Sequence, residues 1–232
     1  MKKIRVLIID DERYARMELK RLIAGFPEME LVGEAKNADE AQQLIEDIHP
    51  DLLFLDIQMP ERSGFDLLQS LEDVPEVIFT TAFDQYAVKA FEVSALDYLL
   101  KPIRAERFAQ AIAKLNGKAA LSIQSRQIFV KDRDQYHFIR WEKVYLVESM
   151  DNYARLFYEG KNAWLKRSLN QLVKTLDDAM FICINRAQVV NTNFIQTINT
   201  TEHGRLTITL NSGQTLKVSQ RQSVQLKKTG KI

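Results

Sequence analysis

The sequence predicts two domains of different class: a doubly wound α/β fold on a five-stranded parallel sheet, then a mostly antiparallel β domain. Three observations carry this. Residues 1–115 alternate short apolar, β-branched runs with stretches of helical period. From about residue 121 the pattern changes to short strands separated by polar turns. The charge also changes sign. Residues 1–120 carry 15 Lys and Arg against 22 Asp and Glu, a net −7, and residues 121–232 carry 17 against 9, a net +8, although the whole chain is only +1.

In the first half, residues 4–9 (IRVLII) form the first strand, and a helix over 12–25 follows with apolar positions at Ala15, Leu19, Leu22 and Ile23. A strand at 30–34 precedes a helix over 38–48, for which Asn37 is the N-cap and Glu40 the partner of a capping box. Residues 51–56 are a strand, 64–71 a helix, 76–80 a strand, 84–93 a helix, 96–100 a strand and 104–115 a helix. Short, continuously apolar strands joined by helices are buried on both faces, the mark of a parallel sheet. The second half reads as strands at 121–124, 127–131, 136–140, 144–149, 153–158 and 162–166. A capped helix follows from Ser168 with Gln171, then strands at 181–185, 188–191, 195–199, 205–210 and 214–218, and a last short helix begins after Ser219. The polar break at Asn116-Gly117-Lys118 places the first domain at 1–117, a linker at 118–125 and the second domain at 126–232.

Composition excludes several classes. With 46% hydrophobic and 27% charged residues, 8 Gly and 5 Pro, the chain is of ordinary globular type and neither collagen-like nor low-complexity. No apolar run approaches the ~18 residues of a membrane span, so membrane insertion is not expected. The apolar start meets Asp10 and Asp11 too soon for a secretory segment, and a cytoplasmic protein is expected. Cys183, the one cysteine, excludes an internal disulfide and is expected to be buried and inert. His49, His137 and His203 have no metal spacing, and Trp141 and Trp164 are expected to pack in the core or in turns.

Ligands of doubly wound sheets sit beyond the carboxyl ends of the strands. There the first strand presents Asp10, Asp11 and Glu12, the third Asp56, the fourth Thr80 and Thr81, and the fifth Lys101 and Pro102. Converging carboxylates repel unless a cation lies among them, and an open set of oxygen ligands suits Mg²⁺. With a lysine and a hydroxyl alongside, such a pocket fits phosphoryl transfer to an aspartate.

Asp10-Asp11, Asp56-Ile57-Gln58-Met59-Pro60 with Gly64, Thr81-Ala82 and Lys101-Pro102, in this order and spacing, resemble the receiver domain of two-component response regulators. The resemblance implies that Asp56 is the phosphoacceptor. It implies that Asp11, Asp56 and the backbone carbonyl of Gln58 ligate Mg²⁺ directly, with Asp10 acting through water. Thr81 and Tyr98 would be the switch pair, and the Lys101-Pro102 bond would be cis. It further implies a sensor histidine kinase as phosphodonor. A homodimer would form through the face of helix 84–93, strand 96–100 and helix 104–115, which carries Tyr86, Val88, Lys89, Phe91, Glu92, Arg104 and Arg107. The enzyme alternative is an aspartate-based phosphohydrolase. Those enzymes carry a second Asp as general acid where this chain has Gln58, which cannot do acid–base chemistry.

The basic half has no helix-turn-helix period and no zinc-ligand or RNA-binding signature. Its blocks LVESMDNYARL (146–156), LKRSLNQLVKTLDDAMFICINRAQVVN (165–191) and LKVSQRQ (216–222) resemble the LytTR-type DNA-binding domain, a β module that inserts loops into successive major grooves. Where that family commonly has His-Arg-Ser-Tyr, this chain has Asn185-Arg186-Ala187-Gln188. The resemblance places contacts to double-stranded promoter DNA on Asn152 and Arg155 in the 151–155 loop, on Asn185 and Arg186, and on Arg221. Lys166 and Arg167 are expected on phosphates. The other class of partner for this half is a protein. The charge split also predicts that the acidic half can screen the basic half until it is phosphorylated.

Overall fold

The computed structural model describes residues 3–82, 95–119, 126–132 and 135–229. They form two compact units, Met1–Arg140 and Trp141–Ile232.

The first unit is the predicted parallel α/β fold. Its sheet, in the order β2-β1-β3-β4-β5, contains β1 (Ile4–Ile9), β2 (Met29–Ala35), β3 (Leu52–Asp56), β4 (Glu76–Thr81) and β5 (Asp97–Leu100), all parallel. The order reverses at β1, where a crevice opens at the strand ends. Helices α1 (Arg13–Ile23) and α4 (Ala105–Ala119) contribute Leu19, Leu22, Phe108 and Ile112 to one core layer, which packs on Ile8, Phe54 and Ile78. Helices α2 (Ala38–Ile48) and α3 (Gly64–Ser70) contribute Ile45, Phe65 and Leu68 to the other, on Leu7, Leu53 and Phe79. The inner strands β1, β3 and β4 therefore bury both faces, which is why their sequences are almost continuously apolar, whereas the edge strand β2 stays partly exposed and keeps Glu30 and Glu34.

The local signals act largely as expected. Asn37 Oδ1 accepts from the Glu40 amide at 2.8 Å, but the Glu40 carboxylate returns to the amide of Lys36, not of Asn37. A capping box that the sequence analysis did not single out, Ser63 with Asp66, starts α3. The helix expected at 84–93, the strand at 121–124, residues 120–125 of the linker, and the dimer-face residues Tyr86, Val88, Lys89, Phe91 and Glu92 lie outside the described residues.

The division between units falls later than the 118–125 linker that the sequence predicts. The hairpin of β6 (Gln127–Asp132) and β7 (Gln135–Arg140) packs in the first unit. Phe129 is stacked on Phe65 at 5.9 Å, Tyr136 on Phe65 at 4.6 Å, and Phe138 lies 6.4 Å from Phe79. The Gln127 carbonyl accepts from the Val74 amide at 2.9 Å, Arg126 pairs with Asp73 at 3.0 Å, and Arg140 pairs with Glu76 at 3.0 Å. Strand periodicity shows that a hairpin exists but not which core its aromatic face joins.

The second unit is the predicted antiparallel β fold. A five-stranded sheet runs β10-β9-β8-β12-β11, with β8 (Val144–Met150), β9 (Tyr153–Tyr158), β10 (Lys161–Leu165), β11 (Phe181–Asn185) and β12 (Gln188–Asn191). A three-stranded sheet contains β13 (Ile195–Thr200), β14 (Leu206–Leu210) and β15 (Thr215–Lys217). Leu146, Ile182, Ile184 and Val190 of the larger sheet share a core with Leu206, Ile208 and Leu216 of the smaller, closed by Leu226 of α6 (Gln220–Thr229). Helix α5 (Leu169–Val173) starts at the predicted Ser168–Gln171 capping box. Trp141 is buried edge-on to Phe181, as expected. Trp164 departs from expectation, being 38% exposed. Cys183 is only partly buried, with its thiol 3.1 Å from the Asn185 carbonyl, and burial pushes its pKa up.

Replacing Phe129 with Ala removes the central ring of the hairpin's packing. We expect the first unit to lose about 3–5 kcal/mol, read as a lower urea midpoint. An unchanged midpoint would mean that the hairpin does not belong to this core.

Candidate functional site: an acidic crevice and a basic sheet end

The crevice is built by strand ends. Val6, Leu7, Ile8 and Ile9 are fully buried, so β1 delivers Asp10 into the interior, where it is 0% exposed. Asp56 ends the fully buried β3 and is 5% exposed. Asp11 is exposed at the rim, and carboxylate oxygens of Asp10, Asp11 and Asp56 lie within 4.8 Å of one another. Lys101 follows β5, and its bond to Pro102 is cis, as expected. Its Nζ lies 2.8 Å from Asp10 Oδ2, 2.6 Å from Asp56 Oδ2 and 3.3 Å from Glu12 Oε2.

The remaining carboxylate oxygens are held by backbone. Asp10 Oδ1 accepts from the Glu12 amide at 3.0 Å and Asp56 Oδ1 from the Gln58 amide at 3.0 Å. Asp10 Oδ2 has the Lys101 ammonium at 2.8 Å as its one partner among the described residues, and the buried hydroxyl of Thr80 has none. A buried carboxylate oxygen offset only by a lysine that Asp56 shares, beside the rim carboxylate of Asp11, fits a divalent metal with oxygen ligands. Burial raises the pKa of Asp10 and of Asp56, outweighing the lowering by Lys101. Burial acts to lower the pKa of Lys101, but its bonds to Asp10 and Asp56 prevail and push it above the usual lysine range.

Neighbouring residues shape the loops. Gly64 is required by close approach: a Cβ there would meet the Asp56 carbonyl oxygen at 2.3 Å. Thr81 is 0% and Tyr98 8% exposed. Sequence reasoning missed Arg16, whose guanidinium binds the carbonyls of Asp10 at 2.7 Å and Asp11 at 3.2 Å and so fixes the metal-side loop. A basic residue one turn into the helix after an acidic loop was the available signal. Arg107, one of the residues expected on the dimer face, binds Asp97 at 2.6 and 2.8 Å and the Tyr98 carbonyl at 2.9 Å. Lys114 adds an ion pair to Asp97 at 3.1 Å. Burial acts to raise the Asp97 pKa, but its bonds to Arg107, the Tyr98 amide and Lys114 hold it below the usual range.

In the second unit one end of the five-stranded sheet collects most of the predicted contact residues. Asp151, at φ 53°, and Asn152 form the tight turn joining β8 to β9. Leu165 pairs with Ala154, so Lys166 and Arg167 emerge beside that turn. The Ser149 amide donates to the Ala187 carbonyl at 2.8 Å, which ties the Arg186 turn to β8. The Ser219 amide donates to the Ile184 carbonyl at 2.9 Å and its hydroxyl accepts from the Gln222 amide at 3.3 Å, setting exposed Arg221 in the first turn of α6. Asn152, Lys166 and Arg186 are exposed, and Arg167 is partly so.

Two residues depart from expectation. Asn185 is committed within the fold: its amide donates to Gln188 Oε1 at 2.8 Å and to the Lys217 carbonyl at 3.2 Å, and its Oδ1 accepts from the Ala187 amide at 2.9 Å. Both N–H bonds are used, so none is left for an adenine edge. Arg155 lies 4.9 Å over Phe157 and 5.3 Å over Trp164, with Nε 3.2 Å from Asn162 Oδ1, and so is held along the sheet.

A parallel sheet with three carboxylates and a lysine at its switch point is joined in one chain to a basic β module. The response regulator receiver domain family matches residues 6–113, and the LytTr DNA-binding domain family matches residues 134–231. The sensory transduction protein LytT of Enterococcus faecalis is 34% identical over 226 residues, covering 92% of this chain and 93% of that protein. The transcriptional regulatory protein BtsR of Escherichia coli K12 is 34% identical over 238 residues, covering 97% and 98%. Among solved structures, the response regulatory domain of protein mrkE from Klebsiella pneumoniae is 33% identical, covering 51% of this chain and 99% of that one with a TM-score of 0.47. The chain belongs to the response regulators that join a receiver domain to a LytTR DNA-binding domain.

The two carboxylate environments give opposite predictions. Because burial raises the Asp56 pKa, its charge opposes folding, and Asp56→Asn is expected to stabilise the metal-free protein by about 1 kcal/mol. Mg²⁺ is expected to raise the melting temperature of the wild type and not of Asp56→Asn; a rise retained in the variant would place the metal elsewhere. Asp97 has the reverse sign. Its lowered pKa contributes stability above the ordinary carboxylate range that is lost as pH falls through the folded-state value. Asp97→Asn should cost about 1–3 kcal/mol near pH 7, with the gap to wild type in urea unfolding closing only below the ordinary value of 3.8.

Proposed function

We propose that this protein is a cytoplasmic transcriptional regulator that takes a phosphoryl group from a sensor histidine kinase onto Asp56 and, so marked, dimerises and binds double-stranded promoter DNA. The observation that carries the reading is the Lys101 ammonium set between Asp10 and Asp56 in a crevice whose remaining carboxylate lies at the rim. Among the described residues no helix is long and apolar enough to cross a membrane.

In the transfer, Asp56 Oδ attacks the phosphorus of a phosphohistidine. The new P–O bond forms as the P–N bond breaks, and the imidazole, already protonated at its other ring nitrogen, leaves neutral. Asp11, Asp56 and the Gln58 carbonyl would hold Mg²⁺ directly and Asp10 through water; when bound, the ion offsets negative charge between carboxylates and phosphoryl oxygens. Lys101 orients Asp56 and balances charge on the transferred group. Thr81 supplies a hydroxyl to the acyl phosphate, and Tyr98 responds with it. Gln58 offers no acid or base, which favours a lasting mark over turnover. The dimer face would comprise segments 84–93, 96–100 and 104–115.

On DNA, Arg186 and Arg221 read bases, while Asn152, Lys166 and Arg167 anchor the backbone. Arg155 and Asn185 support the reading turns. The favoured target is DNA over a protein partner because the exposed cations collect at one sheet end.

Labelling by a small-molecule phosphodonor should be stoichiometric, require Mg²⁺ and vanish in Asp56→Asn; multiple turnovers would point to a phosphatase. Arg186→Ala and Arg221→Ala should each weaken binding to a duplex selected from random DNA by about tenfold or more and relax base preference. Unchanged binding in both variants would favour a protein partner.

A further inference from the structure

One row of side chains crosses the whole five-stranded sheet: Trp164, Arg155, Glu148, Gln188 and Asn185 stand opposite one another on β10, β9, β8, β12 and β11. The last three are joined by hydrogen bonds. Gln188 Nε2 donates to Glu148 Oε1 at 2.8 Å, Asn185 Nδ2 donates to Gln188 Oε1 at 2.8 Å, and the Ala187 amide donates to Asn185 Oδ1 at 2.9 Å.

The direction of this chain is fixed at both ends. A carboxylate only accepts and a backbone N–H only donates, whereas the amides between them could each present either atom. With Glu148 at one end, Gln188 must turn its nitrogen toward β8, its oxygen then faces Asn185, and Asn185 must turn its oxygen toward Ala187. The second Asn185 hydrogen reaches the Lys217 carbonyl at 3.2 Å, just before α6. The Ala187 amide and the Lys217 carbonyl set which way Asn185 faces, and Glu148 is the charged acceptor that closes the row behind Gln188, bracing the turn that carries Arg186 and the strand end that leads to Arg221.

We propose that Glu148 is a positioning residue for DNA recognition, acting through Gln188 and Asn185 to orient the Arg186 turn. Arg155 stands opposite Glu148 in the register, but its guanidinium lies over Phe157 and Trp164, so Glu148 is held by Gln188 rather than by an ion pair. The proposal rests on the DNA-binding reading of this sheet end and explains why a carboxylate stands there. Charge alone would make Glu148 a liability against a polyanion, so its removal should tighten binding. The relay requires the reverse.

The test uses the full chain, a duplex that the wild type enriches from randomised DNA, and the variants Glu148→Gln, Arg186→Ala and their combination. Glu148→Gln should bind about tenfold more weakly despite losing a negative charge, and should have little further effect on top of Arg186→Ala. Its Ala187 amide should exchange faster with solvent in the absence of DNA, while the melting temperature stays near wild type. Tighter binding, an equal loss with and without Arg186, or unchanged Ala187 exchange would overturn the proposal. If Glu148→Gln fails to fold, Gln188→Met cuts the relay at its middle and is read in the same cycle. If the wild type enriches no duplex, the DNA reading fails, and Ala187 exchange alone decides the relay.

Discussion

A single ammonium group between two buried carboxylates is the constraint on which the receiver unit depends. Asp10 and Asp56 leave the interior of adjacent strands, and their charges converge where little water enters. Lys101 offsets part of that charge at 2.8 and 2.6 Å. With Asp11 at the rim the crevice holds an excess of carboxylates over the lysine, and burial raises both interior pKa values. The same electrostatic imbalance that opposes folding without a metal fits a divalent cation among these oxygens. The strand order places these groups together: β3 and β2 flank β1, so Asp10 and Asp56 meet at the reversal of the sheet.

Much of this was legible in the sequence because each signal was local or strictly periodic. Strand-end residues follow from the length of a buried run, and Asp10, Asp56, Thr81 and Lys101 each stand one step past such a run. Capping residues act within a few positions, which is why Asn37, Ser168 and Ser219 were readable. What escaped depends on long-range geometry. The partners of Arg107 and the carbonyl grip of Arg16 are set by the fold, not by spacing. Trp164 reads as a core residue by type, yet it sits on the edge strand β10, where one side of the sheet has no further strand to cover it.

The β6–β7 hairpin shows a conflict between two kinds of membership. The LytTr family match begins at residue 134, within this hairpin, while its rings pack with Phe65 and Phe79 of the first unit. Sequence similarity follows the history of a segment, and packing follows where its apolar face finds the most area to bury. Phe129, Phe79 and Tyr98 belong to one core cluster. The hairpin and Tyr98 thus pack within the same unit.

The polar row on the second sheet follows the same economy. A reading turn needs an arginine free at its tip and a backbone that does not move, and backbone groups at a turn have few regular partners. Asn185 supplies those partners from its own side chain: its oxygen meets the Ala187 amide and its nitrogen the Lys217 carbonyl, so the backbone sets which end faces the turn. Gln188 and Glu148 extend that arrangement across the sheet, and Arg155, laid over Phe157 and Trp164, lies along the same row. On the DNA-binding reading, Asn185 and Arg155 would stand one step behind the exposed Arg186 and Arg221.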